Sequence, residues 1–142
     1  MKWIVVPAVV LVGVAGLVQT AHGQPRTGCW HYTDGSSVFS TVCFTGSTGG
    51  NFNIEYALED PDQGLVKGSC NGTLEITSLD DRGVVFTVPY QEDACRQEDQ
   101  IFRVAQRDYA CEWADNSMVC ELTVYYDDGT VYSRSSGLEY SR

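Results

Sequence analysis

Six cysteines hold most of the covalent potential of this chain: Cys29, Cys43, Cys70, Cys95, Cys111 and Cys120. No two have the C-x-x-C spacing of a zinc site, and His31 is the one histidine past the N-terminal segment. An even set without metal spacing predicts three disulfides, which would leave no thiol nucleophile. His31 lies between Trp30 and Tyr32 and reads as a strand residue, and no G-x-S-x-G accompanies it, which argues against a Ser-His-Asp hydrolase. Paired carboxylates remain: Asp60/Asp62, Asp80/Asp81, Glu92/Asp93, Glu98/Asp99 and Asp127/Asp128. Such pairs are what glycoside hydrolysis requires, but each falls among turn residues, where a solvated acid keeps an ordinary pKa. The run from Glu59 to Gly64 begins as a calcium loop does and then lacks the later ligands, so no metal and no cofactor is assigned.

The other functional material is aromatic. Tyr125, Tyr126, Tyr132 and Tyr140 cluster around Asp128-Gly129, a hairpin signal that sets Tyr125 opposite Tyr132. On that register Tyr126 faces inward with Leu122 and Val124, and the outward pair stands beside Asp127 and Asp128. Tyrosine suits interfaces because it joins an apolar ring to a polar tip. Tyr125, Tyr132, Asp127 and Asp128 are therefore candidate binding residues, with Trp30 and Trp113 beside them. Asn71-Gly72-Thr73 is a glycosylation sequon in a eukaryotic secretory pathway.

These residues sit in a chain that begins as an exported one does. Lys2 precedes an apolar run from Trp3 to Val18, which ends on Gln19-Thr20-Ala21-His22-Gly23. A basic start, a short apolar stretch and small residues at the exit predict a signal peptide over 1–23. The run is too short to span a bilayer, so no membrane span is expected after processing. The mature domain would then be residues 24–142, or 142 less 23, 119 residues. Its location would be extracellular, or periplasmic in a Gram-negative cell. The formal charge is −10 for the whole chain and −11 without Lys2. An acidic surface excludes nucleic acid, which needs clustered Lys and Arg, and favours a cationic partner.

The supporting elements read as strands. Phe52, Ile54, Tyr56 and Leu58 alternate with more polar neighbours, as do Leu74 and Ile76, then Val84, Phe86, Val88 and Tyr90. Tyr109, Cys111 and Trp113 follow the same rule, and so do Cys120, Leu122, Val124 and Tyr126. Turn signals divide them at Asp34-Gly35, Gly49-Gly50, Asp60-Pro61, Arg82-Gly83, Asp115-Asn116 and Asp128-Gly129. Gln91 to Arg107 reads as a long loop or a short helix before a strand near Phe102 and Val104. The pattern predicts an all-β fold of eight to ten short strands, a small antiparallel up-and-down β-barrel, with a β-sandwich as the alternative.

The cysteines fit that plan. A two-residue turn at Asp115-Asn116 sets Cys111 opposite Cys120 at a non-hydrogen-bonded pair, where side chains approach most closely. Cys29 and Cys43 flank the Asp34 turn, and Cys70–Cys95 follows by elimination. A tight Arg82-Gly83 turn would place Cys70 opposite Cys95, yet it mismatches Leu74 and Ile76 with their apolar partners. A wider turn, or a bulge near Pro89, is expected there.

Gly28-Cys29-Trp30 opens the first strand as G-x-W. That triplet just after a signal peptide resembles the start of the lipocalin and avidin barrels, and implies that Trp30 closes the base of the barrel. The chain departs from those families in lacking a later T-D-Y motif and the several tryptophans of a biotin site. Small bacterial lysozyme inhibitors are similar as acidic, disulfide-bearing exported barrels. The expectation is a non-enzymatic secreted binding protein whose acidic loops engage a cationic extracellular protein, as an inhibitor of a lysozyme or another hydrolase would. A carrier of a small apolar ligand and a carboxylate-dependent glycoside hydrolase are the alternatives.

Overall fold

The computed structural model describes residues 26–142 apart from 92–93, 98–99 and 102–103. The predicted signal segment, Glu92/Asp93, Glu98/Asp99 and Phe102 therefore lie outside the described residues. Ten strands follow one another: β1 (Gly28–Thr33), β2 (Val38–Phe44), β3 (Gly49–Asp60), β4 (Gly64–Leu79), β5 (Gly83–Val88), β6 (Cys95–Gln97), β7 (Gln100–Ile101), β8 (Val104–Trp113), β9 (Ser117–Tyr126) and β10 (Val131–Ser141). Every pairing is antiparallel. Pairing of β3 with β4 and of β10 with β1 closes β1–β5 and β8–β10 into an eight-stranded up-and-down barrel. Closure removes the sheet edges that would otherwise invite pairing with another chain.

Alternation sets the inside. Trp30, Val42, Phe44, Phe52, Leu74, Phe86, Tyr109 and Met118 are all buried, one from each successive inward position of its strand. Phe86 stacks on Tyr109 at 4.6 Å, and Phe44 meets Phe86 edge-on at 5.5 Å. Offset and edge-on contacts of this kind stabilise a core beyond the area they bury.

The disulfides are Cys29–Cys43, Cys70–Cys95 and Cys111–Cys120, each joining directly opposed residues with Cα atoms 4.0 Å apart. The β8–β9 register matches expectation, with Trp113 opposite Met118. Cys111–Cys120 and Cys70–Cys95 are buried inside, whereas Cys29–Cys43 lies on the outer wall.

Three expectations are corrected. Gly49-Gly50 is no turn: both residues begin β3, and the turn occupies 45–48. Gly50 is there because a Cβ would stand 1.8 Å from the Cys43 carbonyl oxygen of the neighbouring strand. The Arg82-Gly83 turn is likewise displaced to 80–82, where the Asp80 carboxylate accepts the amides of Arg82 and Gly83 at 2.9 and 3.1 Å. Ile76 pairs with Phe86, and the bulge that permits this lies in β4 between Ile76 and Ser78, away from Pro89. The third concerns Gln91 to Arg107. Its described residues form the β6–β7 hairpin and the start of β8, with no helix. β6 lies along the upper part of β4, from Gly68 to Cys70, and β5 along the lower part, so Cys70 and Cys95 meet through a separate strand.

Candidate functional site

The up-and-down order gives the barrel two unlike ends. The lower end carries the 45–48, 80–82 and 114–116 turns together with Arg26 and Arg142; the upper end carries 34–37, 61–63, 127–130 and the β6–β7 hairpin.

The lower end is a plug. Trp30 is fully buried, and its indole N–H donates to the Arg26 carbonyl at 3.1 Å. Trp113 packs 5.8 Å from it and donates to the Asp80 carbonyl at 3.3 Å. The Arg142 guanidinium lies over Trp30 at 4.5 Å and that of Arg26 over Trp113 at 5.1 Å, two cation–π contacts that seal the base. Both tryptophans, expected among the binding residues, are thus placed in packing: their faces are covered by arginines and by each other.

The upper end brings the tyrosines together, in a different arrangement from the expected one. Val131, not Tyr132, pairs with Tyr125, because β10 bulges between Val131 and Ser133. The bulge turns Tyr132 toward Tyr126, and their rings meet edge-on at 5.0 Å. Tyr126 keeps the inward parity of Val124, yet at the rim it is 41% exposed, and Tyr132 is 50% exposed. Tyr132 also lies near Tyr56 of β3 across the mouth, and its proximity adds to the burial that raises the Tyr56 phenol pKa. Tyr56 itself lies flat against the wall, since a Cβ on its partner Gly68 would stand 2.2 Å from the ring. Tyr125 is half-buried on the outer side, beside Tyr90 and Asp108.

The turn acids at this end shape their own loops. Asp34 accepts the amides of Ser36, Ser37 and Val38 at 3.1, 2.8 and 3.0 Å, and the Ser37 hydroxyl at 2.6 Å. These bonds hold its carboxyl far below the usual range. Asp128 accepts from the amide and hydroxyl of Thr130 at 2.9 and 2.7 Å, which lowers its pKa in the same way. Asp60 caps the 61–63 turn through the amides of Asp62 and Gln63. Asp34, Asp60, Asp62, Asp127 and Asp128 stand at the upper turns, with Lys67 and Arg96 beside the 34–37 turn. At the base, Asp80, Asp81 and Asp115 stand with Arg26, Arg82 and Arg142, and Glu112 and Glu139 line the same end.

Below the upper rim lies a polar set that the sequence reading missed. Arg107 of β8 is buried inside the barrel. Its guanidinium contacts the sulfurs of Cys70 at 3.3 Å and Cys95 at 3.8 Å, and lies over Phe52 at 5.4 Å. Among the described residues no carboxylate pairs with it; the groups that bear on its charge are the phenols of Tyr109, Tyr56 and Tyr140. Desolvation lowers its pKa, and it pushes the Tyr109 phenol well up. The Tyr140 hydroxyl donates to Ser40 Oγ at 2.9 Å, and that of Tyr109 is buried beside these two groups. One signal was available: the alternation of Tyr109, Cys111 and Trp113, carried two residues back, makes Arg107 inward.

Asn71 is exposed on β4, where its side-chain oxygen accepts from Asn53 of β3. No group of three or more His, Cys, Asp or Glu among the described residues has metal-site geometry. No helix among them is long and apolar enough to cross a membrane. The three disulfides fit an extracellular protein. Comparison with protein-family models, curated proteins and solved structures finds no match. The fold and the site define the chain as a closed, disulfide-stapled antiparallel barrel, plugged at its base and lined with tyrosine at its mouth.

Proposed function

We propose that this is a secreted, non-enzymatic binding protein that engages a cationic extracellular protein through its upper rim. The observation that carries the reading is the exposed Tyr126–Tyr132 pair beside the Asp127-Asp128 turn. Paired phenol rings give apolar contact area and hydroxyl tips, and the surrounding carboxylates attract positive charge. The predicted signal peptide over 1–23 and the disulfides are consistent with export, and the likeness to lipocalin-type barrels agrees with Trp30 at the base. Inhibition of a lysozyme or another hydrolase is the form this binding would take. Hydrolysis of a glycoside is supported less well: Asp34, Asp80 and Asp128 have lowered pKa values, whereas a general acid needs a raised one.

The test is titration calorimetry against a basic lysozyme at low and high ionic strength, with wild type, Tyr132→Ala and Asp127→Asn. Binding should weaken about tenfold or more with added salt, because exposed charges are screened within about 10 Å at 0.1 M. Both substitutions should weaken it further at low salt. Binding that ignores salt and both substitutions would overturn the reading, as would its absence from a panel of basic secreted hydrolases.

A further inference from the structure

Asn71 and Thr73 carry a sequon that binding at the rim leaves unused, and β4 presents both on one side of the wall. Cys70 and Leu74 point into the core, so period two turns Asn71 and Thr73 outward, where both are exposed. Gly72 takes the inward position opposite Phe52, where a Cβ would stand 3.2 Å from Val88 Cγ1. The two residues that the modification requires are thus on the surface, and the one between them is packed.

The Asn71 side chain is held by its oxygen. Asn53 of β3 donates to Asn71 Oδ1, which leaves Nδ2, the atom that takes a sugar, at the other side of the amide. An N-linked asparagine keeps its carbonyl oxygen and one N–H, so this bond survives the modification. The Thr73 hydroxyl accepts from Gln91 Nε2 at 3.2 Å and keeps its own proton to donate.

Beside Asn71 the outer wall forms a shallow hollow of about 280 Å³, lined by Thr41, Cys43, Asn51 and Asn53. No charged residue among those described lines it, in a chain of which 20% is charged. Thr41, Asn53 and Asn71 stand in one cross-strand row, and Cys43, Asn51 and Thr73 in the next. Neighbouring strands lie about 4.8 Å apart, so Thr41 is about 10 Å across the wall from Asn71, within reach of a disaccharide.

From this geometry we infer that Asn71 is an N-glycosylation site and that the innermost N-acetylglucosamine units of its glycan lie in the hollow over β3 and β2. In the transfer, Asn71 Nδ2 attacks the anomeric carbon of an oligosaccharide borne on a lipid diphosphate. The C–N bond forms, the C–O bond to the diphosphate breaks, the amide gives up one proton, and the lipid diphosphate leaves. The amides of Asn51 and Asn53 and the Thr41 hydroxyl offer donors and acceptors to the acetamido and hydroxyl groups of the sugars. A bulky glycan there would also cover the Cys29–Cys43 disulfide, the one of the three on the outer wall. The inference rests on the export part of the proposed function and is independent of the rim.

The full chain with its own leader is produced in a eukaryotic cell line and collected from the medium. Its intact mass should exceed that of the polypeptide. Digestion by a glycosidase that cleaves the sugar–asparagine bond should remove the excess and convert Asn71 to an acid. Thr73→Ala should lose the glycan and Thr73→Ser should keep it. The Asn51 side-chain amide and Thr41 methyl signals should shift between the glycosylated protein and the same chain made without glycan in a bacterial periplasm. Protein secreted without a glycan would overturn the inference and leave the export reading standing, whereas protein kept unglycosylated inside the cell would overturn both. A glycan that leaves the Asn51 and Thr41 signals unmoved would overturn its placement in the hollow. The wild-type masses decide occupancy even if a variant does not fold.

Discussion

The two ends of the barrel solve opposite problems. At the base both indole N–H groups of the tryptophans have a partner and the rings are capped by arginines. Toward the mouth a guanidinium is buried with no carboxylate paired to it among the described residues, and tyrosines are left exposed beside the turn acids. Native interiors rarely bury a charge without a partner of opposite sign, so the two ends differ in how well their buried groups are satisfied. A barrel closed by β1 and β10 and cross-linked by three disulfides tolerates that cost.

The largest effect that separates the ends should come from the plug. Trp30→Ala removes a fully buried ring that touches Trp113 and Arg142. It should cost about 3–5 kcal/mol in urea or guanidinium unfolding, the range for large aromatic truncations in a core. Arg107→Met, also buried but toward the other end, should cost less than about 1 kcal/mol or raise stability, because a buried charge with no carboxylate partner among the described residues gives way to an apolar chain of similar length. If the two substitutions cost the same, Arg107 is structural and the contrast between the ends fails.

How much of this was legible follows the same division. Period two sufficed for the strands and for Cys111 opposite Cys120, because local turn geometry and alternation determine both. Trp30 at the base was implied by the G-x-W resemblance and not by period two. Bulges were not. The one in β10 moves Tyr132 from the outer row to the ring of Tyr126, and the one in β4 restores Ile76 to Phe86; neither leaves a residue-type signal as clear as a hairpin turn does. Arg107 escaped notice because a charged residue after a polar stretch reads as loop, although alternation carried back from Tyr109 places it inward. Gly50 read as a turn because glycine marks turns and close backbone approaches alike, and only the neighbouring strand tells them apart.

The smallest effect should be common to both ends, and that is its use. Asp34 and Asp128 at the mouth and Asp80 at the base each accept backbone amides, and all three carboxyls are held below the ordinary value of 3.8. A group whose folded pKa is depressed contributes stability above its unfolded pKa and loses it as the pH falls toward the folded value. Asp34→Asn keeps an acceptor oxygen for the amides and removes the charge, and Asp80→Asn does the same at the base. In urea titrations each variant should be less stable than wild type by a constant margin from pH 7 down to about 4. Below that the margin should shrink as the wild-type carboxyl takes up its proton. These acids are fully exposed, so the margin should be small at either end. A gap that stays constant to pH 2 would show that the amides bind the neutral group as well as the charged one. A gap that closes at the mouth but persists at the base would mean that the excess of negative charge over the upper turns, rather than the turn bonds, sets the acid response.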